Sequence, residues 1–152
     1  MKALIQRVCG GRVTIDGRAV GEVGTGYVVL LGVRHGDTEK DARYLANRTL
    51  NLRIFPDDED KMNRSVRDTG GGILVISQFT LYADTKKGNR PSFVPAADPG
   101  PAEALYEVYV EALRSELGAD MVTTGRFGAR MLVEILNDGP VTIELTTDGK
   151  KL

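Results

Sequence analysis

Two short segments carry the residue types that could act on a substrate. The first, residues 77–84 with the sequence SQFTLYAD, closes an apolar run and brings together the polar side chains of Ser77, Gln78 and Thr80. At the end of a buried strand, main-chain N–H groups can point outward together and stabilise a developing oxyanion. The alternative is an ordinary strand end in which Phe79 belongs to the core. Taken alone, the residue pattern favours that alternative.

The second segment, Asn137-Asp138-Gly139-Pro140, lies between two apolar runs that we predict to be strands, residues 131–136 and 141–146. Its composition is typical of a turn between strands. Only about 5–6% of X-Pro bonds in folded proteins are cis, so composition alone predicts a trans bond between Gly139 and Pro140.

The groups that common hydrolases use are missing from the chain. There is one histidine, His35, and no Gly-x-Ser-x-Gly sequence around a serine nucleophile. His35 follows a predicted buried strand, where an exposed loop histidine is the usual case. Residues 57–60 are all acidic but lack EF-hand spacing, which favours a solvated loop over a metal site. We expect chemistry without a metal or cofactor.

Length and charge limit the kind of partner. A chain of 152 residues fits one domain, and we expect residues 1–152 to form it, with 147–152 as a flexible tail. The net charge of −1 argues against an extended basic face, so a nucleic acid would have to be held locally. Lys86, Lys87 and Arg90 cluster beside the first segment, although a solvated loop explains them equally well.

Cellular setting follows from the cysteine count and the first residues. The single cysteine, Cys9, cannot form an internal disulfide, which predicts a reducing, cytoplasmic setting. Residues 1–7 turn polar too soon for a signal peptide, and no apolar run reaches the length of a membrane span. We therefore expect a soluble protein.

The elements that must position these segments are mostly strands. Apolar patterning predicts strands at residues 3–8, 12–15, 18–23, 27–33, 52–55, 73–76, 121–124, 131–136 and 141–146. Gly10-Gly11 is predicted to be a turn or bulge, residues 57–64 a loop, and residues 83–101 a turn-rich connection.

Two helices are predicted. The first follows Thr38, which with Asp41 comes close to a capping-box pattern. The second runs from Ala102 to Leu117, with an apolar stripe formed by Leu105, Val108, Ala112 and Leu113. Two helices among many strands, without regular βαβ alternation, predict an α+β fold with a layered β-sheet sandwich or barrel-like core.

Both segments resemble the motifs of D-aminoacyl-tRNA deacylases, also called D-tyrosyl-tRNA deacylases. The resemblance extends to residues 87–93, KGNRPSF, and residues 124–131, TGRFGARM, so it covers nearly the whole chain. Enzymes of that family hydrolyse the ester that links a D-amino acid to the 3′ end of tRNA. The resemblance implies β-sheet layers backed by two helices, assembled as a homodimer.

Site residues also follow from the resemblance. It implies that residues 77–80 are catalytic and that Gly139-Pro140 is a cis pair reaching into the partner subunit's active site. There its carbonyl oxygens would exclude an L-residue. Phe127 and Met131 would line a pocket for the terminal adenosine, although both could equally belong to the core. Arg7 would hold the partner's Gly-Pro loop, although a surface arginine on a strand is commoner.

An aminoacyl ester needs little further machinery. Its α-ammonium group activates the carbonyl, and the adjacent ribose 2′-hydroxyl can help to deliver a water molecule, so that orientation and oxyanion stabilisation suffice. Thr80 could be a nucleophile or a positioning group, and the absence of a nearby base in the sequence favours positioning. Glycyl-tRNA should be partly accepted, because glycine has no Cβ to exclude.

Two other functions remain open from the sequence. One is a noncatalytic nucleic-acid-binding β module that stacks bases on Phe79, Tyr82 and Phe93. The other is an editing domain that removes a wrong L-amino acid. Gly139-Pro140 argues against the second, because the implied wall of carbonyl oxygens would exclude L-substrates.

Overall fold

In a computed structural model, which describes residues 1–148, one mixed sheet curls into a nearly closed barrel. The strands are β1 Lys2–Ile15, β2 Arg18–Val23, β3 Gly26–Gly32, β4 Arg53–Pro56, β5 Met62–Ser65, β6 Gly72–Ser77, β7 Val122–Thr124 and β8 Leu132–Thr146. The order in the main sheet is β2-β1-β3-β6-β7, β8 pairs with β1, and β4 and β5 form a separate hairpin. The Thr123 hydroxyl donates to the Glu22 carbonyl at 2.7 Å, bringing β7 against β2.

The centre of this sheet is the parallel pair β3 and β6. Both strands are apolar on both faces, as their continuous hydrophobic sequences predict, because the sheet is covered on each side. The register pairs Tyr27 with Ile73 and Leu31 with Ser77. Ser77 therefore lies where the rigid middle of the sheet ends.

Helices α1 (Glu39–Leu50) and α3 (Pro99–Leu117) pack against the sheet, and α2 (Val66–Thr69) is a single turn. The predicted start of α1 is confirmed, since the Asp41 carboxylate accepts the Thr38 N–H at 2.8 Å. The α+β class is confirmed, but the expectation of two helices missed α2. The Asp68 carboxylate, which accepts the Ser65 N–H, caps that turn.

Two predicted turns are interruptions within long strands. β1 runs through Gly10, where its pairing with β8 shifts register, so the bulge alternative is correct there. The predicted turn around Gly139-Pro140 is wrong, because β8 continues in the same direction past it. Val8 pairs with Asn137 and Gln6 with Thr142, so the residues between them bulge out of the strand.

The acidic loop is shorter than predicted, because residues 62–65 form β5 against β4. The Asp57 carboxylate organises the connection by accepting the Lys61 N–H at 3.0 Å and the Asn63 side chain at 2.8 Å. The hydrogen bond from Asn63 is the main cause that lowers the pKa of Asp57.

Helix α3 begins three residues earlier than predicted, with a proline in its first turn. Its buried stripe also differs from the prediction and shares only Leu113 with it. The buried residues are Ala102, Tyr106, Tyr109, Val110 and Leu113.

Thr147 is buried rather than part of a flexible tail. Its side-chain oxygen accepts from the Met1 ammonium group at 2.5 Å, and Asp37 accepts from the same group at 2.7 Å. The predicted tail therefore starts too early, and its residues 149–152 lie outside the described part of the chain. Within residues 1–148, no helix is long and apolar enough to cross a membrane.

Candidate active site

A cavity of about 590 Å³ opens where β3 and β6 end. Ser77, Gln78 and Phe79 lie on its wall, together with Phe127 and Met131. The structure thus brings two separate predicted groups, the strand-end segment and the pair assigned to an adenosine pocket, into one cavity.

The first wall is built by an abrupt change in backbone direction. β6 ends at Ser77, and a single-turn 3₁₀ helix begins at Phe79. Gln78 stays tied to the sheet, because its N–H donates to the Leu31 carbonyl at 2.8 Å. Its side-chain amide also donates to the Thr80 hydroxyl oxygen. The segment is therefore anchored on the sheet side.

Phe79 and Thr80 open this turn, so their N–H groups have no acceptor within it. No other acceptor is paired with either group within residues 1–148. These two N–H groups at the end of a rigid strand can donate hydrogen bonds to a developing oxyanion.

The alternative placement of Phe79 in the core is wrong. Its side chain is 56% exposed at the mouth of the cavity. Its ring meets Phe93 edge to face, with the centroids 5.0 Å apart. An aromatic pair beside a cavity, with the Phe79 ring exposed and Phe93 half-buried, is suited to stacking on a planar ligand.

Phe127 and Met131 form another wall and are half-buried. The Phe127 ring lies 5.9 Å from that of Tyr106, so it packs on the core cluster while facing the cavity. Met131 packs in the same way on the smaller core cluster. Both residues therefore line the cavity and pack on the core, and their contact with adenosine stays a prediction.

Sequence reasoning missed Tyr106 and Asp98, which also line the cavity. The Tyr106 hydroxyl donates to the Val75 carbonyl at 2.8 Å. Burial raises the pKa of Tyr106 to about 12, so its phenol is neutral at physiological pH. The spacing of Tyr106, Tyr109 and Leu113 along α3 was the signal that could have identified it, because these residues share one helix face.

Gly139 and Pro140 lie away from this cavity, exposed in the bulge of β8, and the bond between them is cis. Arg7 holds the bulge in its own chain, whereas the resemblance implied a contact with the partner's loop. Its guanidinium donates to the Asp138 carbonyl at 3.2 Å and to the Ile54 carbonyl at 2.7 Å. The predicted site residues therefore fall into two separate groups.

Titratable groups are sparse around the cavity. Asp98 and Tyr106 are the titratable residues among its described lining, and His35 is exposed elsewhere. Within residues 1–148, no group of three or more His, Cys, Asp or Glu side chains is placed to hold a metal ion. The described lining therefore carries one carboxylate, Asp98, beside the main-chain N–H groups of the strand-end segment.

Comparison with known proteins identifies the family to which this arrangement belongs. The sequence model of D-Tyr-tRNA(Tyr) deacylase matches residues 4–146. A D-aminoacyl-tRNA deacylase of Heliobacterium modesticaldum is 57% identical over 149 residues, which is 98% of each chain. One from Dehalococcoides mccartyi strain BAV1 is 55% identical over 145 residues, covering 95% of this chain and 94% of the relative. The chain belongs to the D-Tyr-tRNA(Tyr) deacylase family.

Solved structures agree on the fold. One titled "c-Myc DNA Unwinding Element Binding Protein" has a TM-score of 0.92 and 42% identity, covering 97% of this chain and 99% of its own. A second, titled "Structural Analysis of a probable eukaryotic D-amino acid tRNA deacylase", has a TM-score of 0.80 at 19% identity and covers 95% of this chain and 97% of its own. The second supports the fold alone.

Proposed function

We propose that the chain hydrolyses the ester bond of D-aminoacyl-tRNA, releasing the D-amino acid and free tRNA. The observation that carries this proposal is the cavity at the end of β6, whose wall is the strand-end motif of a family named for that reaction. A cytoplasmic location accords with a tRNA substrate.

Main-chain donors do most of the proposed work. The ester carbonyl binds against the N–H groups of Phe79 and Thr80, which stabilise the oxyanion that forms when water adds. The C–O bond then breaks, and the ribose 3′-oxygen takes up the proton that the attacking water gives up and leaves as a hydroxyl group. The neighbouring 2′-hydroxyl orients the water, and the substrate's own ammonium group makes the carbonyl more electrophilic.

Thr80 positions the substrate in this scheme. Its hydroxyl oxygen already accepts a hydrogen bond from the Gln78 side-chain amide, which holds the side chain in place. Ser77 and Gln78 complete the wall with fixed dipoles. Phe127 and Met131 hold the terminal adenosine, since an aromatic ring and a thioether stack on a base without requiring a particular sequence.

Selection against L-residues is assigned to Gly139-Pro140 of a second subunit. The pair is exposed and lies outside its own chain's cavity, so it can reach a substrate only in another copy. The outer edge of β8 supports such an assembly, because it pairs with no other strand of the described chain, and Leu132 and Leu136 are 66% and 59% exposed. A homodimer with shared active sites follows from the proposal.

The two carbonyl oxygens of this pair would form a wall that no side-chain rotation can move. An L-residue would push its Cβ into that wall, while a D-residue would point its side chain away. Glycine has no Cβ, so the same wall admits glycyl-tRNA in part.

The test is hydrolysis of matched D- and L-tyrosyl-tRNA in the presence of EDTA, with spontaneous hydrolysis subtracted. We expect the D-ester to be hydrolysed and the L-ester to survive, with no loss of rate on chelation. Hydrolysis of the L-ester at the same rate, or of neither ester, would contradict the proposal. A rate abolished by EDTA would contradict the metal-free mechanism alone.

A second candidate is a nucleic-acid-binding function without turnover. One observation favours it, namely the structural likeness, at 42% identity, to a protein titled as binding a DNA unwinding element. The net charge of −1 argues against it, because counterion release from phosphates needs many basic contacts. Salt-sensitive binding of duplex DNA without hydrolysis of any aminoacyl-tRNA would favour this candidate.

A further inference from the structure

Five exposed cations lie in two segments that contribute residues to the cavity lining, and they have no carboxylate partner within residues 1–148. We call Lys86, Lys87, Arg90, Arg126 and Arg130 the collar. None of them forms an ion pair within residues 1–148, although the described chain has ten such pairs elsewhere, counting that of the Met1 ammonium group. Their charges are available to an external anion.

The collar residues come from two segments that each contribute residues to the cavity wall. The first segment carries Phe93, which lines the cavity and touches the exposed Phe79 ring. The second folds into a turn in which the Ala129 N–H donates to the Arg126 carbonyl at 3.2 Å. Phe127 and Ala129 of that turn line the cavity, and the exposed Arg126 and Arg130 are their direct neighbours in the chain.

Charge is concentrated at this mouth. Residues 83–97 carry three cations and one carboxylate, and residues 124–131 carry two cations and no carboxylate. The two segments together have a net charge of +4, whereas the whole chain has a net charge of −1. The one carboxylate, Asp84, accepts the Lys86 main-chain N–H at 3.0 Å. Asp98 lines the cavity beyond the first segment and leaves the mouth positive. The rest of the chain is negative in sum, so the two segments attract an anion more strongly than the remaining surface does on average.

We propose that the collar binds phosphodiester groups of the tRNA acceptor strand that follow the nucleotide held in the cavity. This inference rests on the proposed function and names the residues that hold the substrate beyond its reacting end. It also explains how a chain of net charge −1 retains a polynucleotide, because a local set of cations replaces an extended basic face. Lys and Arg are the usual phosphate partners, and Arg can bind two oxygens at once.

The test compares a long and a short substrate in each variant. The long one is D-tyrosyl-tRNA, and the short one is D-tyrosyl-adenosine, which has the ester but no phosphodiester. The variants are Arg126→Gln/Arg130→Gln and Lys86→Gln/Lys87→Gln. The matched control is Lys40→Gln/Arg48→Gln, which removes two exposed cations from α1, a helix with no residue in the cavity lining.

With roughly 0.7–0.9 counterions released per phosphate contact, each double variant should flatten the slope of log kcat/KM against log salt for tRNA by about 1.5. At 50 mM salt, kcat/KM for tRNA should fall about tenfold, while the short substrate and the control change less than twofold. Thermal midpoints should match those of the unmodified protein, because the side chains are exposed.

Three results would overturn the proposal. Unchanged tRNA kinetics in both collar variants would show that these cations are merely solvated. Equal loss on both substrates would show that they act on the cavity itself, and equal loss in the control would reduce the effect to net charge. If the unmodified protein hydrolyses neither substrate, the proposed function fails first, and that outcome is distinct from the other three.

Discussion

Arg7 links β4 to the β8 bulge, which are far apart in the sequence. Its removal should therefore lower the free energy of unfolding. The side chain is only 13% exposed and donates to carbonyls of β4 and of the β8 bulge, at 2.7 and 3.2 Å. Hydrogen bonds from a charged group contribute about 1.5–3 kcal/mol each. Because the bulge is partly solvated, we expect Arg7→Gln to lower the free energy of unfolding by about 3 kcal/mol for the pair.

The matched control lies on the same strand. Arg12 forms an ion pair with Glu22 at 2.7 Å, but both side chains are more than half exposed. Such a pair contributes roughly 0–1 kcal/mol, so Arg12→Gln should change stability little. For a chain of this length, a loss of about 3 kcal/mol corresponds to a fall of about 6–12 °C in the thermal midpoint.

The assay is thermal and urea unfolding followed by circular dichroism, with both variants measured together. Arg7→Gln should also raise hydrolysis of L-tyrosyl-tRNA relative to the D-ester, because the bulge carrying Gly139 loses its anchor. Equal midpoints for Arg7→Gln and Arg12→Gln would refute the reasoning about the anchor. A destabilised Arg7→Gln with unchanged D/L selectivity would confine the role of Arg7 to folding.

Three further outcomes are expected. In a single-turnover assay, the hydrolysis rate of Thr80→Ala should stay within about tenfold of that of the unmodified protein, because Thr80 is proposed to position the substrate. Loss of nearly all activity would instead indicate a nucleophile. Glycyl-tRNA should be hydrolysed at a rate between those of D- and L-tyrosyl-tRNA; a rate as low as that of the L-ester would contradict the wall. The third concerns Tyr106, whose pKa of about 12 lies above its ordinary value near 10, so its contribution to stability is complete below pH 10 and is lost as pH rises towards 12. The measurement is the free energy of unfolding from urea titrations at several pH values in that window. It should fall with pH less steeply in Tyr106→Phe than in the unmodified protein, by roughly 1.4 kcal/mol per pH unit. Identical slopes in the two proteins would contradict the raised pKa of Tyr106.

Local patterns predicted the parts of the fold that local forces decide. The continuous apolar runs of β3 and β6 identified buried strands, and Thr38 with Asp41 marked the start of α1. They also placed the strand-end motif correctly, because a strand buried on both faces must end at the rim of the sheet.

Long-range pairing decided the elements that the sequence did not predict. The residues around Gly139-Pro140 have turn composition, yet β1 supplies pairing partners on both sides and keeps β8 in one direction. β5 is polar in sequence and forms only because β4 lies opposite it. On α3, Tyr106 was missed because its hydroxyl makes tyrosine count as polar in the pattern, although its apolar ring packs inward.

The division of the site into two groups could not be predicted from patterns in one chain. Ser77 and Phe127 meet through the fold, but Gly139 lies outside the cavity of its own chain. The proposed contribution of Gly139-Pro140 to the cavity of another copy leaves no periodicity in the sequence. Only the family resemblance implied it.

Mixed dimers give the most direct measurement of the proposed wall. In Gly139→Ala, the new Cβ would lie 2.9 Å from the Val141 side chain and 3.1 Å from the Arg7 guanidinium at a φ of +127°, so the bulge must move. In Ala129→Trp, a large ring fills the cavity. Subunits carrying one change each are co-expressed with different tags, and the dimers that carry both tags are purified.

The only open cavity in such a dimer faces the intact Gly139-Pro140 of the other subunit. We expect this mixed dimer to hydrolyse D-tyrosyl-tRNA and to spare the L-ester. The Gly139→Ala homodimer should hydrolyse both esters, and the Ala129→Trp homodimer neither. A mixed dimer that hydrolyses the L-ester as fast as the Gly139→Ala homodimer would contradict the cross-subunit wall.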